Sequence, residues 1–412
     1  LRKTVSKIRK CGFVAIVLCN GIAVSAQDSK TIQDSTRIKK KDSVYKEEDL
    51  MDIAHKVFKT KTVPEADSEK TKPGQILLAI FPAAGYALQS GAVAIVAANV
   101  SFYTDRAPTN LSSVTISPQY SLMQQFVLPV ISNIWTSNNK WNFLGDWRFY
   151  KYPSYTYGLG SRSLLSNVDS IDYSYFKFYQ EVLHEIVPHL YGGIGYNLDY
   201  HWNIKDYNTS TDFIDYDQGQ TRTVSSGLVA NIKYDNRVNV NNPKSAFYGS
   251  VIYRYNSTLL GSDENWQYVQ VEMRKYFKLN QRGTNVLAFW SWNEFTFGGK
   301  PPYLDLPSTG WDTYNNTGRG YIQGRFRGNS MVYLESEFRF DITRNGLFGG
   351  VLFANAESVS TETGDDFDII SPGYGFGIRI KLNRFSNTNL AVDYGFGTGG
   401  SRGFFFNIGE VF

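Results

Sequence analysis

The residues best placed to do chemistry are charged ones spaced two apart. Glu335, Glu337 and Arg339 share one parity of a short run, and Val332, Leu334, Phe338 and Phe340 share the other. A period of two puts the charges on one face of a strand and the apolar residues on the opposite face. Upstream lies Arg319, flanked by Gly318 and Gly320. Glycine accepts backbone angles that other residues resist, so this loop can fold back onto the charged face. A guanidinium presents a planar fork that pairs bidentately with carboxylates. Glu335 and Glu337 are the expected partners. Arg339 belongs to the same inward set, and Glu357 is a further carboxylate on the next run. The chemistry expected is an electrostatic lock, with no cofactor and no metal. The four histidines, His55, His184, His189 and His201, lack the His-Glu-x-x-His spacing of a metal-bound hydrolase. No glycine-rich phosphate loop opens a helix after a strand, and an enzyme is not expected.

These residues need strands to hold them, and the sequence supplies a long series. From Ile76 to Phe412, sixteen short runs of alternating character are separated by turn residues, the first Ile76–Tyr86 and the last Gly403–Phe412. Aromatics make up 16% of the chain, with 28 Tyr and 28 Phe, which suits strands and membrane-interface girdles. Mean hydropathy is −0.31, and no stretch past the N-terminal region is long and apolar enough for a spanning helix. Long and short connections alternate, and strands of about ten residues match a tilted crossing of a bilayer core. The expected fold is all-β, a transmembrane antiparallel barrel of about sixteen strands spanning residues 75–412.

Residues 1–26 read as a signal peptide: basic Arg2, Lys3, Lys7, Arg9 and Lys10, an apolar Gly12–Val24, and small residues before Gln27. Cleavage would remove five basic residues and take the formal charge from +4 to −1, so the basic balance is no argument for nucleic acid. It would also remove Cys11 and Cys19, leaving no thiol. Residues 27–74 read as a polar tail, with an amphipathic helix or a linker turn at 48–59.

The stretch Thr317 to Phe340, TGRGYIQGRFRGNSMVYLESEFRF, resembles the barrel of the BamA/TamA family, the bacterial surface antigens. Arg319-Gly320-Tyr321 is similar to the family's Arg-Gly-Phe/Tyr motif at the tip of its sixth outer loop. Asp235, Arg237 and Pro243 resemble the family's Asp-x-Arg…Pro turn. The last residues, with Phe404, Phe406, Ile408 and Phe412 on one parity, resemble its C-terminal signal strand. The resemblance covers most of Asp235 to Phe412. Two departures stand out: Asn355 and Glu357 occupy a run where the family has Phe-x-Asp-x-Gly, and the tail is too short for a POTRA domain.

The resemblance implies an outer-membrane barrel with both termini in the periplasm. It also implies a seam between first and last strands that opens sideways, for which Ala83, Ala84 and Gly85 opposite Gly403 and Gly409 suit weak packing. Implied partners are outer-membrane lipid, unfolded outer-membrane proteins or a barrel-assembly complex, or a second copy of the chain. The alternatives are a passive pore or a structural, oligomerising barrel.

Overall fold

In the computed structural model, the described residues are 48–50, 53, 73–105, 109–207, 216–217, 219–281, 283–361, 367, 369–383 and 387–412. The expected signal peptide and most of the tail lie outside them. Eighteen strand segments form one sheet. They are β1 (Leu77–Ala87), β2 (Gly91–Phe102), β3 (Ser112–Ile116), β4 (Gln119–Ser121), β5 (Phe126–Trp135), β6 (Trp141–Lys151), β7 (Ser154–Thr156), β8 (Asp169–Val187) and β9 (Leu190–Asp206). The second half is β10 (Arg222–Asp235), β11 (Ala246–Asn256), β12 (Trp266–Lys278), β13 (Val286–Phe297), β14 (Ser330–Asp341), β15 (Phe348–Ser360), β16 (Ser371–Asn383), β17 (Thr388–Phe396) and β18 (Arg402–Ile408).

Two crossings are split. β3 and β4 pair with the same neighbours on either side of Ser117 and Pro118, and β7 continues β6 against β8 beyond Tyr152 and Pro153. Proline has no N–H to give a ladder, so each break falls where a donor is missing. The eighteen segments therefore make sixteen antiparallel crossings. The wall also extends around residue 170, where β8 begins at Asp169 and its first residues pair with β7. At the other end of the chain the last strand is shorter than expected and stops at Ile408.

Alternation fixes the two faces. In β14 Tyr333, Glu335, Glu337 and Arg339 are buried inside, whereas Leu334 on the opposite parity is exposed. A one-residue slip would turn all the charges outward, so register is strongly specified. An even number of crossings brings the chain back to its starting end. There the turns are short, such as the two residues between β8 and β9. The longest connection, 298–329, lies at the opposite end.

At the short-turn end Leu50 and Ile53 are helical, and the Ile53 amide donates to the Asp49 carbonyl at 3.2 Å. These residues begin the stretch 48–59 read as a helix or a linker turn, most of which lies outside the described residues, and they are tied to the β14–β15 turn, where the Glu48 amide donates to the Asn345 carbonyl at 3.1 Å. The Asn345 amide in turn donates to the Glu48 carboxylate, also at 3.1 Å.

Candidate functional site: the lumenal lock and the seam

The 298–329 loop folds into the lumen, and its tip is the Arg319 turn. Gly318 and Gly320 hold φ of +76° and +117°, the left-handed region that disfavours side chains. Space is as tight as the dihedrals. A Cβ on Gly318 would overlap the Thr309 methyl, and one on Gly320 would sit 2.7 Å from the Phe396 carbonyl oxygen. The turn rests on a glycine floor. Cβ atoms on Gly373 and Gly395 would lie 2.9 Å from the Arg319 carbonyl oxygen and 2.7 Å from the Gly320 nitrogen. The Tyr321 ring covers Gly397, and its hydroxyl donates to the Pro372 carbonyl at 2.6 Å and accepts from the Thr398 amide at 3.0 Å.

Arg319 is fully buried. Its Nη2 donates to Glu335 and Glu337, its Nη1 to Asp393 at 2.5 Å, and its guanidinium lies 3.7 Å over the Phe353 ring. The structure thus brings Arg319 together with two of the residues expected from sequence. Arg339 is not a direct partner, as befits two cations: it lies beyond Glu337, donating to it from Nε at 2.7 Å. Glu357 does not reach Arg319 either, and accepts instead from the Thr309 hydroxyl at 3.0 Å. The β14–β15 register explains this. Glu335 faces Asn355, whereas Glu357 faces Tyr333, two residues farther from the guanidinium. Asn355 supplies no charge but donates to the Arg319 carbonyl at 2.9 Å. The third carboxylate is Asp393, which sequence reasoning did not connect to the loop. Its only signal was an acid on the inward parity of β17.

The network continues to the end of the chain. Arg379 donates to Asp393 at 2.5 Å and to Glu410 at 2.7 Å, and Asn389 donates to Glu410 at 2.6 Å. Glu410 belongs to a segment that leaves the sheet. Gly409, with φ of +97°, ends the alternation, and residues 410–412 turn into the lumen. This corrects the reading of Phe412 as sharing one strand parity with Phe404, Phe406 and Ile408, and of Gly409 as part of the seam strand. Phe404, Phe406 and Ile408 are exposed on the outer face. Phe412 is buried, its ring 5.3 Å from that of Trp290, with its carbonyl accepting from Arg339 at 2.9 Å.

The turn motif supports that segment from below. Arg237 grips Asp235 with two bonds of 2.9 Å and stacks 4.4 Å over Tyr248, while Pro243 is buried. The turn it shapes presents the Asn241 carbonyl to the Glu410 amide at 2.9 Å.

A second anchor holds the loop to the opposite wall. Asp305 accepts from Ser225 at 2.5 Å and lies 3.6 Å from Nδ1 of His201, which is stacked on Tyr175. Asp217, in the β9–β10 connection, accepts from the Tyr303 amide at 3.1 Å. Burial pushes the Asp217 carboxyl up to about 6. His184 lies outside against Trp141, and His189 occupies the tight β8–β9 turn with φ of +72°. No cluster of three or more metal-ligating side chains occurs among the described residues.

The seam is the one junction without a ladder among the described residues. β1 pairs only with β2, and β18 only with β17, although β1 and β18 lie side by side. Leu88, at the β1–β2 turn, packs against Gly403 and closes the long-loop end of the gap. At the other end β18 has already stopped. The free edge of β1 is also interrupted. The Val96 amide donates to Pro118, away from β1, so its partner Pro82 occupies a non-hydrogen-bonded pair. Pro82 therefore turns its hydrogen-free nitrogen toward the open edge.

No family model and no curated protein matches the chain. Solved structures do. BamA from Haemophilus ducreyi lacking POTRA domains 1–3 superposes with a TM-score of 0.55 at 14% identity, over 80% of this chain and 69% of that one. CdiB from Acinetobacter baumannii gives a TM-score of 0.50 at 12% identity, over 81% of this chain and 59% of CdiB. The fold is that of an outer-membrane β-barrel. Exposed apolar residues such as Leu334, Phe376 and Phe406 form the outer surface of such a barrel, which calls for no spanning helix.

Proposed function

We propose that this barrel acts at its wall, serving the assembly, insertion or translocation of outer-membrane polypeptide through the β1–β18 seam. The observation that carries the reading is the pairing of an unlatched seam with an occupied lumen. Unpaired edges are ordinarily covered or closed, because they recruit other strands. Here closure is withheld at one junction while the 298–329 loop and residues 410–412 occupy the interior against the charged wall. A passive pore is the poorer reading, since the inward Glu272, Arg274, Glu337, Arg339 and Arg379 are paired among themselves or covered by the loop. In the proposed orientation the long loops face outward and both chain ends lie in the periplasm. Candidate partners are lipid, unfolded barrel proteins, an assembly complex or a second copy.

The test is a folding assay in liposomes. The protein from Gln27 onward is reconstituted, and an unfolded outer-membrane protein is added. Its acquisition of protease resistance is compared with empty liposomes and with an unrelated barrel. Specific acceleration is expected, and is expected to vanish in a Leu88→Cys/Gly403→Cys variant once oxidised. Equal rates with the folded barrel and with empty liposomes would overturn the proposal in favour of a scaffold.

A further inference from the structure

The lumen has two unlike halves. From β9 to β17 the wall carries paired charges: Asp199 with Arg254, Glu272 with Arg274, then the Arg319 network. From β1 to β5 it carries none. Between Gln75 and Trp135 the only charged residues are Asp105 and Arg106, both in the β2–β3 turn. The inward parity there includes Ala83, Val93, Ile95, Ala97, Val127 and Ile131. A sheet between lipid and a wet lumen needs one apolar face. This stretch adds an inward apolar band at Ala83, Val93, Ile95, Ala97 and Val127, bordered by uncharged polar side chains such as Asn99, Thr115, Gln119 and Asn133.

The loop leans on the charged half through Arg319 and Asp305, and the space it leaves lies against the apolar half. A cavity of about 130 Å³ opens there, with Ala87, Val93 and Val127 on one side and Tyr150, Tyr152 and Trp311 on the other. Gln119, Gln125, Asn315 and Gln323 are among its polar lining, and so is Arg148, which is paired with Asp146. The volume holds several waters or one slender group. β1, which forms one edge of this half, is also one edge of the seam, and its outer face exposes Leu78 and Ile80 to lipid.

We infer that the seam-side half of the lumen takes an acyl chain of a bilayer lipid, admitted between β1 and β18. The chain lies along Ile95 and Ile131, and its polar end meets the cavity lined by amide side chains and Arg148. Three observations select an acyl chain over a strand. The wall offers an uncharged inner surface with an apolar band along β1, β2 and β5, it is continuous with the lipid-facing surface at β1, and Pro82 withholds the mid-edge donor that a continuous ladder requires. An acyl chain needs no donor. The inference requires the seam to pass lipid and does not depend on a polypeptide client.

The experiment places a benzophenone side chain at Ile95 or at Ile131 in the full barrel in phospholipid liposomes. After irradiation the protein is weighed for lipid adducts. Val96, on the outer parity of β2, reports labelling by the bulk bilayer, and Ser250, inside on the charged half, reports background. A heat-dependent gel shift establishes that each variant is folded. Adducts at either inner position, lost on oxidising the Leu88→Cys/Gly403→Cys staple, are expected. Adducts at Val96 alone would overturn the inference, and so would inner adducts that persist with the staple closed. If client folding fails while inner adducts form, only the assembly reading falls. If adducts fail while client folding is accelerated, only this inference does.

Discussion

Replacing Arg319 by alanine tests the lock most directly, and the geometry says where the cost falls. The side chain is fully buried and faces Glu335, Glu337 and Asp393. Removing one member of a buried ion pair costs about 3–5 kcal/mol, because the charge left behind is uncompensated. The three carboxylates are not left equally bare. Glu337 keeps Arg339 and Asp393 keeps Arg379, whereas Glu335 keeps only the Tyr333 hydroxyl. Most of the loss therefore sits on Glu335. A second substitution, Glu335→Gln, should recover part of the stability lost in Arg319→Ala. Glu337→Gln should recover none, since it strips Arg339 of its nearest carboxylate and leaves it Glu410 at 3.7 Å. The assay is thermal unfolding of the reconstituted barrel, followed by the heat-dependent gel shift, with single-channel conductance as a second readout for release of the loop. Unchanged unfolding temperature and conductance in Arg319→Ala would refute the lock. Equal rescue by both glutamine variants would refute the assignment of the cost.

Gly320→Ala should also destabilise, by about 1–3 kcal/mol, because its φ of +117° and the Phe396 carbonyl both oppose a side chain; an unaltered melting profile would contradict this. Phe412→Ala removes a buried ring from against Trp290 and should cost about 3–5 kcal/mol, read as earlier loss of the folded band on heating. The burial penalty on the Asp217 carboxylate should be relieved as pH falls, although its bond from the Tyr303 amide then loses its charge. The folded carboxyl titrates near 6 against 3.8 unfolded, so the folded state binds the extra proton between these values. Stability is then gained on acidification from about 6 to 4, by up to about 3 kcal/mol, and lost as pH rises through 6. Asp217→Asn should flatten that slope, and an unchanged slope in the variant would sink the assignment. Finally, Glu410→Gln should cost less than Arg319→Ala and should be non-additive with it, coupling by about 0.5–3 kcal/mol in a double-mutant cycle.

Much of the wall was legible because its signal is local. Alternation in β14, β16 and β17 separates inward charge from outward apolar residues within single runs, and sixteen such runs match sixteen crossings. Arg319, Glu335 and Glu337 were legible together because they lie within nineteen residues of one another and because the motif resembles a known one. Asp393 was not. It is 74 residues from Arg319 and on the third strand beyond β14, about 14 Å around the sheet. Only a loop crossing the lumen brings a guanidinium to both, and the path of that loop is not written in any one strand. Glu357 was misread for the complementary reason. It is close in sequence and on the inward parity, but register sets its height on the wall, and parity does not. Phe412 shares the parity of Phe406 only while the strand continues, and Gly409 was the available sign that it stops.

The lock and the seam share one set of charges, and this ties the interior to the wall. Three guanidiniums, Arg319, Arg339 and Arg379, meet four carboxylates, Glu335, Glu337, Asp393 and Glu410. Glu410 comes from the segment whose inward turn ends β18 and leaves the lower part of β1 without a neighbour. Were residues 409–412 to straighten and extend β18 along β1, Glu410 would leave the lumen, and three cations would face three acids. The charges left in the lumen would stay balanced, three against three, while Glu410, on the outward parity of Ile408, would have to reach water at the short-turn interface. Withdrawing Arg319 instead leaves two cations facing four acids, a far worse ratio in a buried site. The lumenal charges are thus arranged to hold the loop more firmly than the terminal segment, which is the order of stabilities that the proposed action at the seam requires.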